Sequence, residues 1–216
     1  MTENKLLAKE KVKGVDNMVP LWFVVDENRL EEAGIFTLYL RQENGEKFSF
    51  KPGQFNMLYL AGVGEVPVSV SGDATDNNML VHTIRPVGDV TKAMAKLKRG
   101  DKLGVRGPYG TAWPITEAYG KDVIFVTSTI GLAPLRPAIY QVLREREKFK
   151  NVILCYGSRG IEDVLFEKEM RSWQHQGIDV QINIHNPPPV GMTFEAKVGS
   201  VSTLVKEAKL DIANTK

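Results

Sequence analysis

Hydrophobic and polar positions follow two different rhythms along this chain. Up to about residue 115, short β-rich runs are separated by Gly, Pro, Asn and Asp. GIFTLYLRQ (34–42) is followed by the turn ENGE, and FNMLYLAG (55–62) follows Lys51-Pro52-Gly53. EVPVSVSGD (65–73), NMLVHTIRPVG (78–88) and KLGVRGPYG (102–110) complete the set. Short strands at this spacing predict a small antiparallel barrel of Greek-key type. One helix interrupts them at 90–97, where Val90, Met94 and Leu97 share a face and Gly100 ends it.

After residue 121 apolar strands alternate with helical stretches. KDVIFVTS (121–128), NVILCYGS (151–158) and DVQINIH (179–185) read as strands. PLRPAIYQVLREREKF (134–149), IEDVLFEKEMRSWQHQ (161–176) and SVSTLVKEA (200–208) read as helices. The second helix is expected to begin at Glu162 or Asp163 and to stop at Gly177. Such alternation predicts a parallel sheet covered on both faces. The expected organisation is therefore a β-barrel domain at 1–115 and an α/β nucleotide-binding domain at 121–216, with a linker near 111–120. Pro187-Pro188-Pro189 reads as a loop.

Bulk properties narrow the function. Of the 216 residues 43% are hydrophobic and 25% charged, and the net charge is +2, so no broad basic surface for nucleic acid is indicated. The N-terminal MTENKLLAKEKVKG lacks the apolar core of a signal peptide. No apolar run approaches the roughly 20 residues that span a bilayer, and a cytoplasmic setting is expected. His82, His175 and His185 form no metal-binding motif, and the single cysteine, Cys155, reads as a buried strand residue.

Several stretches could carry chemistry. In Arg85-Pro86-Val87-Gly88-Asp89-Val90-Thr91 a strand ends, a glycine allows close approach and a helix begins. Free amides at such a start attract an anion; equally, Asp89 or Thr91 serves as an ordinary cap. Ser69 and Ser71 alternate along one strand, which puts both hydroxyls on one face. Val123 to Pro137 reads as a strand running into a nucleotide-type turn, with Gly131 as its only glycine.

The ordered set KPGQF, PVSVS, IRPVGDVT, GVRGPYG and IGLAPLRP resembles the ferredoxin–NADP reductase superfamily. Within it the likeness is to the gamma subunits of NiFe hydrogenases and sulfhydrogenases and to the electron-transfer subunit of dihydroorotate dehydrogenase. The resemblance covers roughly residues 35–216. It implies an FAD-binding barrel, an NAD(P)-binding α/β domain, and electron transfer between NAD(P)H and an iron–sulfur centre of a partner subunit. Carried over by residue, Pro67, Val68 and Ser69 match the flavin-edge motif. His82, Thr83, Ile84 and Arg85 match the strand beside the flavin and its pyrophosphate. Gly88, Val90 and Thr91 match the phosphate turn, and Gly107 and Tyr109, with Pro108 and Gly110, match the turn that closes the barrel. Thr129, Gly131 and Pro134, with Ala133, match the nicotinamide turn. Tyr156, Gly157 and Arg159, with Ser158, match the second nucleotide loop, and Asp163, Phe166 and Glu169 match the helix after it.

The sequence departs from the family pattern in three places. Val66 and Val68 stand where many relatives carry Arg and an aromatic, and Ser128 and Thr129 replace the paired glycines of the nicotinamide turn. The family's last strand and a cysteine cluster for a [2Fe–2S] centre are not present up to Lys216, so either the sequence is a part of a longer chain that carries them or it is a short form without its own cluster. Arg159 stands open to two readings, a 2′-phosphate contact or a solvated loop residue. The function expected is an FAD-dependent electron-transfer subunit of a hydrogenase-type complex. The alternatives are a flavin-holding adaptor without nicotinamide turnover and a stand-alone NAD(P)H reductase.

Overall fold

The computed structural model describes residues 18–187, 196–208 and 215. The N-terminal stretch considered for a leader and two of the three loop prolines lie outside the described residues. An antiparallel sheet is followed by a parallel sheet with helices. The first contains β1 (Leu21–Leu30), β2 (Phe36–Gln42), β3 (Phe55–Leu60), β4 (Gly64–Ser69), β5 (Leu80–Ile84) and β6 (Lys102–Tyr109), in the order β4-β3-β6-β1-β2-β5. Strand β6 inserts between β3 and β1, which gives the Greek-key crossing. Alternation drives the inward faces: Phe23, Val25, Leu38, Leu40, Leu58, Leu103 and Val105 are buried in one cluster. Helix α1 (Asp89–Met94) closes one end through Met94.

The barrel expected from the sequence is not closed by a ladder. β4 and β5 are the two edges of the sheet. They are joined by a backbone bond from Ser71 N–H to the Val81 carbonyl (2.9 Å) and by the His82 ring on the Ser69 carbonyl (2.9 Å). Side chains fill that seam, so a continuous ladder cannot form across it. Strand β1 had no counterpart in the sequence reading, yet it lies in the middle of the sheet, paired with β2 and β6.

The parallel sheet contains β7 (Val123–Ser128), β8 (Val152–Ser158), β9 (Asp179–Ile184) and the short β10 (Lys197–Val198), in the order β10-β9-β8-β7. Helices α2 (Arg136–Arg144) and α3 (Glu167–His175) bury Ile139, Val142, Met170 and Trp173 against one face. Helix α4 (Val201–Glu207) covers the other through Leu204, against Ile153 and Cys155. Cys155 is buried as expected, and burial pushes its thiol up from its ordinary value. Helix α3 begins later than the sequence suggested. Ile161–Asp163 forms a 3-10 turn, and Phe166 adopts a left-handed conformation (φ 57°) that ends it and restarts the chain at Glu167. The break lets Val164, Leu165 and Phe166 enter the core.

Contacts run between the two sheets. Ile35, in the β1–β2 connection, is fully buried in the core of the α/β part. Trp113 Nε1–H donates to the Pro134 carbonyl (3.2 Å), and its backbone N–H donates to Pro52 (2.8 Å). Arg144 forms an ion pair with Asp73 at 2.7 Å. On the outer side of β7, Thr215 bridges Asp122 in parallel. No helix among the described residues is long and apolar enough to cross a membrane.

Candidate functional site

Three strands bring the flavin-type motif together. Phe55 on β3 pairs with Ser69 on β4 and with Tyr109 on β6, so these three stand in one row. The Phe55 and Tyr109 rings meet at 5.8 Å. The KPGQF turn is clasped to the GPYG turn by Gln54 Nε2, which donates to the Gly110 carbonyl (3.2 Å). Gly53 is held at φ 101° beside Trp113, a conformation and a closeness that only glycine accepts. Pro67 is exposed, while Val68 and Ser69 are half-buried.

The next segment runs along β5 into α1. Ile84 is buried in the core and Arg85 emerges into solvent. The side chains of His82 and Thr83 are both buried, on opposite faces of β5. Thr83 Oγ1 lies 3.0 Å from Thr37 Oγ1 and 2.9 Å from Ser71 Oγ, a closed polar trio. Gly88 is exposed, and a Cβ there would meet nothing within 4 Å. Thr91 Oγ1 accepts from Gly88 N–H and donates to the Gly88 carbonyl (both 3.0 Å), the geometry of a cap. Val90 packs toward β4, where a Cβ on Gly64 would come within 3.2 Å of it.

The other group gathers at the carboxyl ends of β7 and β8, the end where α/β sheets take ligands. Thr129 holds φ 46°, a left-handed position usual for glycine. Gly131 carries no side chain because a Cβ would lie 2.5 Å from Thr127 Oγ1. Gly157 lets α4 approach β8, since its Cβ would meet Val201 at 3.1 Å. The Tyr156 side chain is fully buried; its hydroxyl accepts from Leu165 N–H (3.2 Å), and burial pushes its pKa up to about 12. Only the backbone of Tyr156 can face a ligand. Ser158 Oγ is buried with no partner among the described atoms. Arg159 is exposed, with Nε–H on Asp163 at 3.0 Å.

The two groups are not one cluster. Tyr109, Ser69 and the α1 start belong to the antiparallel sheet, whereas Thr129, Gly131, Tyr156, Gly157 and Arg159 belong to the parallel one. Arg85 lies close enough to Tyr156 to lower its pKa, against the larger effect of burial, which links the two sides. Sequence reasoning missed Asn56, whose side chain is fully buried beneath the Phe55 row, and Arg136, buried against Glu169. Their signals were a polar residue at an inward strand position and a cation on the apolar face of a helix. Among the described residues no three His, Cys, Asp or Glu side chains stand together as a metal site would need.

No protein-family model matches the chain. The sulfhydrogenase 2 gamma subunit of Pyrococcus furiosus is 31% identical over 192 residues, covering 84% of this chain and 66% of that one. A probable dihydroorotate dehydrogenase B (NAD(+)) electron transfer subunit of Methanocella arvoryzae is 39% identical over 122 residues, covering 56% and 43%. This chain thus spans from under half to just under two thirds of the length of these relatives. The FAD/NAD-binding domain of a nitric oxide dioxygenase from Vibrio cholerae shares the fold with a TM-score of 0.76 at 15% identity, over 91% of this chain and 97% of that one. The Ser69–Phe55–Tyr109 row, the turn after β7 and these likenesses converge: the chain is a homologue of sulfhydrogenase gamma subunits and dihydroorotate dehydrogenase electron-transfer subunits, and it has the two-domain fold of ferredoxin–NADP reductase-like proteins.

Proposed function

We propose that the chain is an FAD-dependent electron-transfer subunit that passes electrons between NAD(P)H and an iron–sulfur centre of a partner redox enzyme. In this reading residues 1–115 hold the flavin and 121–216 take the nicotinamide cofactor. The observation that carries it is the row Ser69–Phe55–Tyr109 in the sheet whose strand β5 leads into the exposed Gly88 turn and α1. The donor set fits FAD. Ser69 offers a hydroxyl to a polar ring edge and Tyr109 an apolar contact in the same row, exposed Arg85 and the Gly88 turn suit a diphosphate, and Val68 packs inward on the core beneath. Bound there, FAD supplies the exchange between a hydride and single electrons. The protein's part is to hold the two rings in contact and to shield them from water.

The nicotinamide side also fits, through the orphaned Ser158 hydroxyl and the close turn at Gly131. The one-electron acceptor in this reading is an iron–sulfur centre of a partner, as the hydrogenase and dehydrogenase names of the relatives suggest. Titrating the purified full chain with FAD and then adding NADH or NADPH without oxygen tests the reading. Stoichiometric binding followed by bleaching of the flavin band is expected. A chain that takes up no FAD would overturn it.

One observation favours a second reading, a flavin-holding adaptor. Thr129 occupies a left-handed position with a side chain where glycine would leave room. Flavin binding without reduction by either nicotinamide cofactor would select the adaptor.

A further inference from the structure

His82 and Asn56 form a buried pair that reaches every strand carrying the flavin-type residues. Both side chains are fully buried. His82 Nδ1 lies 2.9 Å from the Ser69 carbonyl, which can only accept, so Nδ1 carries the proton. In the neutral ring Nε2 must then accept, and the Asn56 amide nitrogen donates to it at 3.2 Å. That fixes the orientation of the Asn56 amide and directs its oxygen away from the ring. The oxygen is buried without a partner, and a Cβ on Gly107 would sit 2.2 Å from it. The two side chains thus bond Ser69 on β4, His82 on β5 and Asn56 on β3 in a chain, and the Asn56 oxygen packs against Gly107 on β6. They span the seam where β4 and β5 have no ladder.

We propose that Asn56 and His82 are positioning residues that lock the Ser69 segment and the Gly107 turn in place for the flavin. The proposal rests on the FAD reading above. Neither side chain reaches solvent, so each acts through the backbone it holds. Burial keeps the ring neutral, with a pKa near 4, which is the state this bonding requires. A hydrogen bond spent on an ordinary buried histidine would tie any carbonyl; this one ties the residue at the centre of the expected flavin edge.

Nitrogen-detected NMR of the full chain, which has three histidines, tests this without a variant. The His82 signal is expected to show the neutral Nδ1–H tautomer and to shift when FAD is added. An Nε2–H tautomer, or a signal that FAD leaves unmoved while flavin absorbance confirms binding, would overturn the proposal. Absence of any FAD binding would instead remove the functional reading. His82→Leu is expected to weaken FAD binding about tenfold, the scale of one lost buried hydrogen bond. His82→Gln, whose amide can donate to Ser69 and accept from Asn56, is expected to restore most of it. A folded His82→Leu variant with wild-type FAD affinity and flavin potential would sink the inference.

Discussion

The guanidinium of Arg136 lies over the ring of Phe166, 3.9 Å from its centroid, while its other edge grips Glu169 at 2.6 Å. Burial works against the charge, and the Glu169 carboxylate, followed by Tyr140, outweighs it, so the guanidinium stays above its ordinary pKa. This pair ties α2 to the start of α3 just where Phe166 breaks the chain.

Removing one partner is therefore costly. Glu169→Ala leaves a buried cation without its anion and is expected to destabilise the fold by about 2–3 kcal/mol, somewhat below a fully buried case because Glu169 is partly exposed. The double change Arg136→Met with Glu169→Gln is expected to cost less than the single one. Urea unfolding of the two variants beside the wild type measures this, and a Glu169→Ala loss below about 0.5 kcal/mol would place the pair among ordinary surface contacts.

Stability is expected to fall with acidity through His82. Burial lowers its pKa to about 4, against a smaller raising effect of the bond to Ser69. The unfolded chain, near 6.5, therefore binds the proton first as pH falls. The contribution, about 3 kcal/mol, is complete above pH 6.5 and is lost progressively down to pH 4. Melting temperatures recorded across that range should decline more steeply for the wild type than for His82→Gln; parallel curves would remove His82 as the source.

The turn after β7 is expected to reject one methyl group. Gly131→Ala would press a Cβ toward Thr127 Oγ1 and is expected to cost about 1–2 kcal/mol. In a Thr127→Ala background the same change should be nearly free. A double-mutant cycle with no coupling between the two sites would show that the strain lies elsewhere.

Arg159 gives a specificity test. Its Nε–H is held by Asp163, which leaves the outer edge of the guanidinium in solvent beside the Ser158 hydroxyl's strand end. Arg159→Ala is expected to reduce NADPH use relative to NADH by about tenfold, as loss of one charge-assisted phosphate contact would. An unchanged ratio of the two rates takes Arg159 out of cofactor selection.

Much of the fold was legible because its strands obey simple alternation or are wholly apolar. β2, β3 and β5 present inward Leu38, Leu58 and Leu80 at the expected period, and β7 to β9 read as parallel core strands. β1 was hidden by its own irregularity. A bulge between Val25 and Glu27 shifts its register, and the polar stretch Asp26 to Arg29 follows, so the period of two is broken midway. The late start of α3 was hidden because helical spacing continues through Phe166, whose left-handed backbone no residue pattern announces. The motif positions on β4, β5 and α1 were readable from their order. The burial of both His82 and Thr83, on opposite faces of β5, was not, because one is covered at the seam by the Ser69 segment and the other by Thr37 and Ser71, contacts that alternation alone does not announce.

Trp113 spans that two-part architecture, donating from its backbone to Pro52 and from its indole to Pro134. It is partly open to water, as is Trp22 on β1 against Tyr59, whereas Trp173 is sealed in the core. Its fluorescence colour is consequently a built-in gauge of the spacing between the halves. A chromophore seated near the Gly110 turn would dim that emission, which makes an unlabelled sample its own reporter of loading.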